Sequence, residues 1–195
     1  MPDERIEQIS GGELTASADG DLLVILDVSD TTDSSAGTAK RIQVKNLSAY
    51  GEINVQENAT ETTISSSSSD FTNAVQVTVF DTIGNGGTFL NTTPSHTSDH
   101  ITIGIAGAYY VNANLSFSGG SADDYSFAIF KNNKATQISA RTARKLGTGG
   151  DLGAACCSGI YSLEVNDTVE VWIQNETVGA NATISNATLS VFKVS

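Results

Sequence analysis

"AYYVNANLSFS", residues 108–118, alternates side chains with a period of two. Tyr109, Val111, Ala113, Leu115 and Phe117 share one parity, so in a strand all five face the same side. A helix would scatter them around its circumference. The other parity holds Tyr110, Asn112, Asn114 and Ser116, a mostly wet face with one aromatic ring on it. The stretch therefore reads as a long, half-buried strand of an antiparallel sheet.

Working outward, runs of the same kind recur. They are "AVQVTVF" (74–80), "GTFL" (87–90), "HITIGI" (100–105), "YSFAIFK" (125–131), "KATQISART" (134–142), "LGAACCSGIYSL" (152–163), "TVEVWIQ" (168–174) and "ATISNATLSVFKV" (182–194), punctuated by Gly, Asn and Asp. With 108–118 they make about nine strands at regular spacing over residues 71–195, which predicts an all-β sandwich or barrel. Val169, Val171 and Ile173 join the core by parity. Tyr110, Phe130, Cys156, Ile160, Trp172 and Phe192 fall on the opposite parity, which a monomeric sandwich would turn to water. So many apolar side chains on outward faces point to a second buried surface and to oligomerisation.

Upstream, "DLLVILDVSDTTDSSAGTAKRIQVKNL" (21–47) reads as two short strands, near Leu22–Val28 and Arg41–Leu47, joined by a loop of turn formers. Leu22, Val24 and Leu26 are expected on one face, with Ile42 and Val44 opposite them on the partner strand. A hairpin alone is marginal in water because nothing covers its apolar face, so this unit reads as an attachment device. "NVQENATETTISSSSSD" (54–70) is polar, ends in a serine run and reads as a flexible tether, spanning roughly 23 Å root-mean-square. The expected organisation is a hairpin module over 1–53, a tether over 54–70 and the β domain over 71–195.

Composition excludes several functions. Ten Lys and Arg against 22 Asp and Glu leave a net charge of −12, which disfavours nucleic-acid binding. The acidic start "MPDERIEQIS" does not resemble a secretory signal, and "LLVIL" and "IGIAGAYYV" are too short to span a bilayer. The adjacent Cys156 and Cys157 point to opposite faces of a strand, and two free thiols suit folding in a reducing cytoplasm. Eight N-x-S/T triplets follow from abundant Asn, Ser and Thr and need no glycan.

His96 and His100 lie some 13 Å apart along a strand and lack further ligands. The glycines of 84–87 and 147–153 fit hairpin loops better than phosphate loops, and the aspartate pairs match no calcium loop. No nucleophile–base arrangement or sugar-cleaving carboxylate pair is evident, so neither catalysis nor a cofactor is expected. One local feature stands out against the acidic background. Lys131, Lys134, Arg141, Arg144 and Lys145 cluster within fifteen residues, and Trp172 lies on an outward parity. Two readings stay open: a solvated face paired with nearby carboxylates, or a surface that contacts anionic sugar or another acidic surface.

Two resemblances sharpen this picture. "AGAYYVNANLSFSG" (106–119), "GIYSLEVNDTVEVWIQN" (159–175) and the closing "SVFKV" (190–194) resemble strands of tumour necrosis factor-like and complement-globular-head jelly rolls, with Gly107, Tyr109, Leu163, Asp167 and Val169 in register. Asn166 stands where that family usually has Gly, and Asn tolerates the positive φ such a turn needs. The resemblance implies a homotrimer of jelly rolls, with Tyr110, Asn112, Cys156, Ser158 and Ile160 on the axis-facing sheet. "DGDLLVILDVSD…GTAKRIQVKNL" (19–47) resembles the short N-terminal module of bacteriophage tail fibres, head fibres and capsid decorations. It implies a virion protein, assembled in a bacterial cytoplasm and displayed on the particle. The anchor, Leu22, Val24, Leu26, Ile42 and Val44, would bind a capsid or other virion protein. The leading expectation is a trimeric short fibre or knob decorating the capsid. The alternative is a tail-associated fibre protein binding host polysaccharide through Lys131, Lys134, Arg141, Arg144 and Trp172.

Overall fold

The computed structural model describes residues 22–27, 38–43, 48–148 and 151–195. Its strands are β1 (Leu22–Asp27), β2 (Thr38–Gln43), β3 (Tyr50–Val55), β4 (Glu61–Thr62), β5 (Val75–Gln76), β6 (Thr82–Ile83), β7 (Thr92–Ser95), β8 (His100–Ile103), β9 (Gly107–Gly119), β10 (Asp124–Lys131), β11 (Thr136–Gln137), β12 (Thr142–Lys145), β13 (Gly153–Leu163), β14 (Thr168–Asn175) and β15 (Ala182–Lys193). They fall into two compact units, residues 1–47 and residues 48–195.

In the first unit β1 and β2 form an antiparallel pair whose register corrects the expected facing. Leu23 stands opposite Ile42 and Val24 opposite Arg41, so Leu22, Val24 and Leu26 face Gln43, Arg41 and Ala39. Ile42 is thus in register with Leu23, one step from the anchor set. Alternation within each strand does not determine the offset between strands, and a one-residue slip exchanges every cross-strand partner. Val44 lies outside the described residues.

The second unit is a β-sandwich with the strand order of a jelly roll. One sheet runs β13-β9-β15-β3-β6, with β4 also on β15. The other runs β11-β10-β14-β8-β7, with β12 on β10 and β5 on β14. The expected inward set of β9 is buried, as are Val169, Val171 and Ile173 of β14. Between the sheets Phe117 meets Tyr125 and Phe127 edge-on, at centroid distances of 5.5 and 4.8 Å. The turn before β14 carries Asn166 at φ 71, as its place in the pattern anticipates. Cys156 is exposed and Cys157 buried, both as free thiols. Burial, and then the neighbouring Cys156, push the Cys157 thiol up to about 12.

The expected boundaries at 53 and 70 are corrected. β3 pairs with β15 over six positions, from Phe192↔Tyr50 to Ala187↔Val55. Ile53 and Val55 are buried in the core, and Ile64 and Phe71 farther along are buried too. "YGEINV" has the same period-two alternation as β9, and the polar composition of 54–70 masks its few inward residues. The serine segment is no free tether. Ser68 N–H donates to Asn175 O, and Ser68 Oγ and Phe71 N–H both reach Gln174 Oε1 at 2.6 Å. Smaller differences lie at the sandwich ends. Strand β7 contains Pro94 and has no counterpart among the expected runs, while 134–142 is broken into β11 and the start of β12.

Candidate functional site

Neither sheet is amphipathic in the simple sense, because each carries apolar side chains on its outer face. On the six-stranded sheet the pairings align one row across four strands: Ile160 on β13, Tyr110 on β9, Phe192 on β15 and Tyr50 on β3. Ile160 is 68% exposed, Phe192 48% and Tyr110 39%. The next row is Ser158, Asn112, Ser190 and Glu52, and the one after is Cys156, Asn114, Thr188 and Asn54. The five expected interface residues, Tyr110, Asn112, Cys156, Ser158 and Ile160, therefore lie together on one outward face. Within it the Cys156 thiol reaches Asn112 Oδ1 at 3.7 Å.

Two concavities shape this face. A groove of about 880 Å³ runs over its polar rows, lined by Asn54, Asn114, Cys156 and Thr188 among others. A slot of about 480 Å³ opens at the β3 side, lined by Tyr50, Glu52, Asn85, Thr88 and Phe192. Tyr50 and Glu52 escape a sequence reading that gives residues 1–53 to the hairpin module. The alternation of "YGEINV" beyond Leu47 is the signal that finds them.

The outer face of the seven-stranded sheet is different. Ala128 and Phe130 of β10 and Trp172 of β14 form a second small cluster with Phe71 and Ala74, which the chain lays over them. Phe71 packs on Phe130 at a centroid distance of 5.2 Å, and Phe130 on Trp172 at 6.4 Å. Trp172 is only 8% exposed, and its indole N–H donates to Glu170. The expectation of an open recognition surface at Trp172 is thus corrected: the chain buries the ring under its own segment.

The basic residues are largely spoken for. Lys134 sits 5.0 Å from the Trp172 ring and donates to the carbonyls of Phe71, Thr72 and Ala74. Lys131 pairs with Asp167 at 2.8 Å. Burial of Asp167 opposes its ionisation, yet the Glu164 N–H, Lys131 and the Asn132 amide hold its carboxyl below the ordinary range. Arg141 donates to Ser69 O and pairs with Glu176 at 3.0 Å. Arg144 and Lys145 make looser, exposed pairs with Asp151 at 3.4 Å and Asp124 at 3.8 Å. The reading of these residues as a face paired with local carboxylates is the one the geometry follows. Among the described residues no group of three or more His, Cys, Asp or Glu is placed to hold a metal ion.

No family model matches the chain, and no curated protein matches it in sequence. Solved structures do match in shape. The chain is similar to murine APRIL, in its crystal structure at pH 5.0, with a TM-score of 0.51 and 12% identity over 75% of this chain and 99% of that one. Eiger TNF from S. frugiperda superposes with a TM-score of 0.47 and 15% identity, over 76% and 92% of the two chains. At such identity the likeness to APRIL speaks for the fold alone. This chain carries an all-β sandwich whose jelly-roll strand order resembles that of tumour necrosis factor-like folds.

Proposed function

We propose that this chain is a structural protein of a bacteriophage virion, a trimeric short fibre or knob displayed on the particle and decorating the capsid. Residues 48–195 form the knob, and the β1–β2 unit attaches it to a capsid or other virion protein. The observation that carries the assembly part is the exposed Ile160–Tyr110–Phe192 row. Burying three such side chains against sister copies contributes on the order of 1–2 kcal/mol each. The virion part rests on the hairpin pattern "DGDLLVILDVSD…GTAKRIQVKNL". The alternative, a tail-associated fibre binding host polysaccharide, loses its chief support because Trp172 is covered and Lys131, Lys134 and Arg141 are engaged within the chain.

Mass photometry of the isolated chain should report three copies; a clean monomer at micromolar concentration removes the assembly reading. Cryo-electron microscopy of whole particles should show the knob on the capsid, and density at the tail instead would establish the alternative.

A further inference from the structure

Asparagine is followed by glycine once in the sequence, at Asn85–Gly86, in the turn that walls the slot beside β3. We propose that Asn85 is a site of spontaneous deamidation, which turns a neutral amide of that slot into a carboxylate. The reactants are the chain itself and water.

The Gly86 nitrogen, its proton taken by hydroxide, attacks Asn85 Cγ. An N–Cγ bond forms, the Cγ–Nδ2 bond breaks, and ammonia leaves with a proton from solvent. Water then opens the cyclic imide at either carbonyl. One product is aspartate; the other is isoaspartate, in which the main chain runs through the former side chain. Water enters, ammonia departs, and nothing is oxidised or reduced.

The turn favours this step. A Cβ on the following residue would shield the attacking nitrogen, and glycine has none. A side chain built at Gly86 would meet nothing within 4 Å, so solvent reaches that nitrogen freely. Asn85 is exposed, and among the described residues neither its carboxamide nor the Gly86 N–H has a hydrogen-bond partner. Other carboxamides are held: Asn58 donates to Ile184 O, Asn91 to Ser48 O, Asn132 to Asp167 and Asn175 to Asp123. Each of these is also followed by a residue with a side chain. Two backbone bonds close the turn, Gly87 N–H to Gly84 O at 3.0 Å and Thr88 N–H to Asn85 O at 3.2 Å. Glycine at 84, 86 and 87 lets it open with little steric hindrance.

The product alters the slot. Asn85 and Glu52 line it together with Tyr50 and Phe192. A side chain at Gly84 would collide with the Glu52 carboxylate, which therefore lies against the same turn. Deamidation sets a second carboxylate beside the first. Phe192 also belongs to the row that buries against sister copies, and covering two like charges costs more than covering one. Ageing of Asn85 thus loosens the assembly. This consequence, unlike the chemistry, rests on the self-assembly proposed above.

Incubating the full-length chain in mildly alkaline buffer and mapping its peptides by mass spectrometry tests the chemistry. Conversion at Asn85 should run about tenfold or more faster than at any other asparagine, because only this one precedes a glycine. Isoaspartyl methyltransferase should label the aged wild type and leave aged Asn85→Gln, whose longer side chain closes a ring far less readily, at background. Asn85 remaining intact while other asparagines convert, or converting only in urea, would overturn the site. Mass photometry tests the consequence with fresh protein. Asn85→Asp should dissociate more readily than wild type or Asn85→Gln, and adding Glu52→Gln should restore it. An Asn85→Asp chain that assembles like wild type removes the link to association and leaves the deamidation site. A wild-type chain that is monomeric throughout removes self-assembly, and that link with it, while the peptide map still decides the chemistry.

Discussion

The two outer faces of the sandwich start from the same material and end differently. Each brings aromatic and aliphatic side chains to the wet parity of adjacent strands: Tyr110, Ile160 and Phe192 on one sheet, Ala128, Phe130 and Trp172 on the other. On the seven-stranded sheet the chain supplies its own cover. Phe71 is driven into the cluster at φ 62, a conformation that costs a bulky residue free energy. Lys134 ties the cover down by its carbonyls, and the fully buried Gln174 by Ser68 and the Phe71 N–H. On the six-stranded sheet no described segment does this, and the row stays open. Parity tells which residues face outward; whether water, the same chain or another chain meets them is a separate matter.

The strongest way to break that comparison is to remove the strands and the serine segment that lead into the cover. A fragment spanning 71–195 lacks β3 and β4 and the buried Ile53, Val55 and Ile64, so it should fail to fold. A fragment spanning 48–195 should fold. Circular dichroism and amide dispersion in NMR spectra separate the two; a folded 71–195 fragment would mean that the outer strands are dispensable.

A matched pair of substitutions sharpens it. Phe71→Ala should lower unfolding stability by about 2–3 kcal/mol, as for a large side chain removed from a small cluster. It should also expose Trp172, the only tryptophan, shifting its emission to longer wavelength without changing assembly. Phe192→Ser on the open face should leave monomer stability within about 0.5 kcal/mol and weaken association instead. Equal effects on both readouts would mean that the faces are equivalent after all.

The smallest effect is in the acid limb. Asp167 has its folded-state pKa lowered, so its contribution is present above the ordinary aspartate value and fades as pH falls below about 4. Asp99 is shifted the other way: burial raises its pKa, although the Phe80 N–H and the nearby His100 and His96 favour the charged form. Its ionisation therefore works against folding at neutral pH, and protonation on acidification relieves it. Asp167→Asn should lose stability at pH 7 and converge on wild type in acid. Asp99→Asn keeps an oxygen for the Phe80 N–H, so it should match or exceed wild type at pH 7 and lose that margin as pH falls. Urea denaturation at several pH values reads both signs.

What was legible in the sequence follows from short-range rules. The period-two runs of β9, β13, β14 and β15 assign their own inward and outward residues, because successive side chains on a strand must point to opposite faces. For that reason alternation alone places Tyr110, Asn112, Cys156, Ser158 and Ile160 on outward parities of their strands. The turn at Asn166 came instead from the resemblance, in which Asn stands where the family pattern has Gly.

Only the tertiary structure decided what depends on distant partners. Tyr50 and Glu52 became part of the face when β3 paired with β15, residues more than a hundred positions away. The serine segment was fixed through Gln174, and the Phe71–Ala74 cover that follows it through Gln174 and Lys134, which their own composition gives no hint of. Trp172 changed from an outward ring to a buried one for the same cause. The β1–β2 offset likewise needed both strands in place. Local alternation sets the direction of a side chain, but its surroundings are set by contacts between segments far apart in the chain.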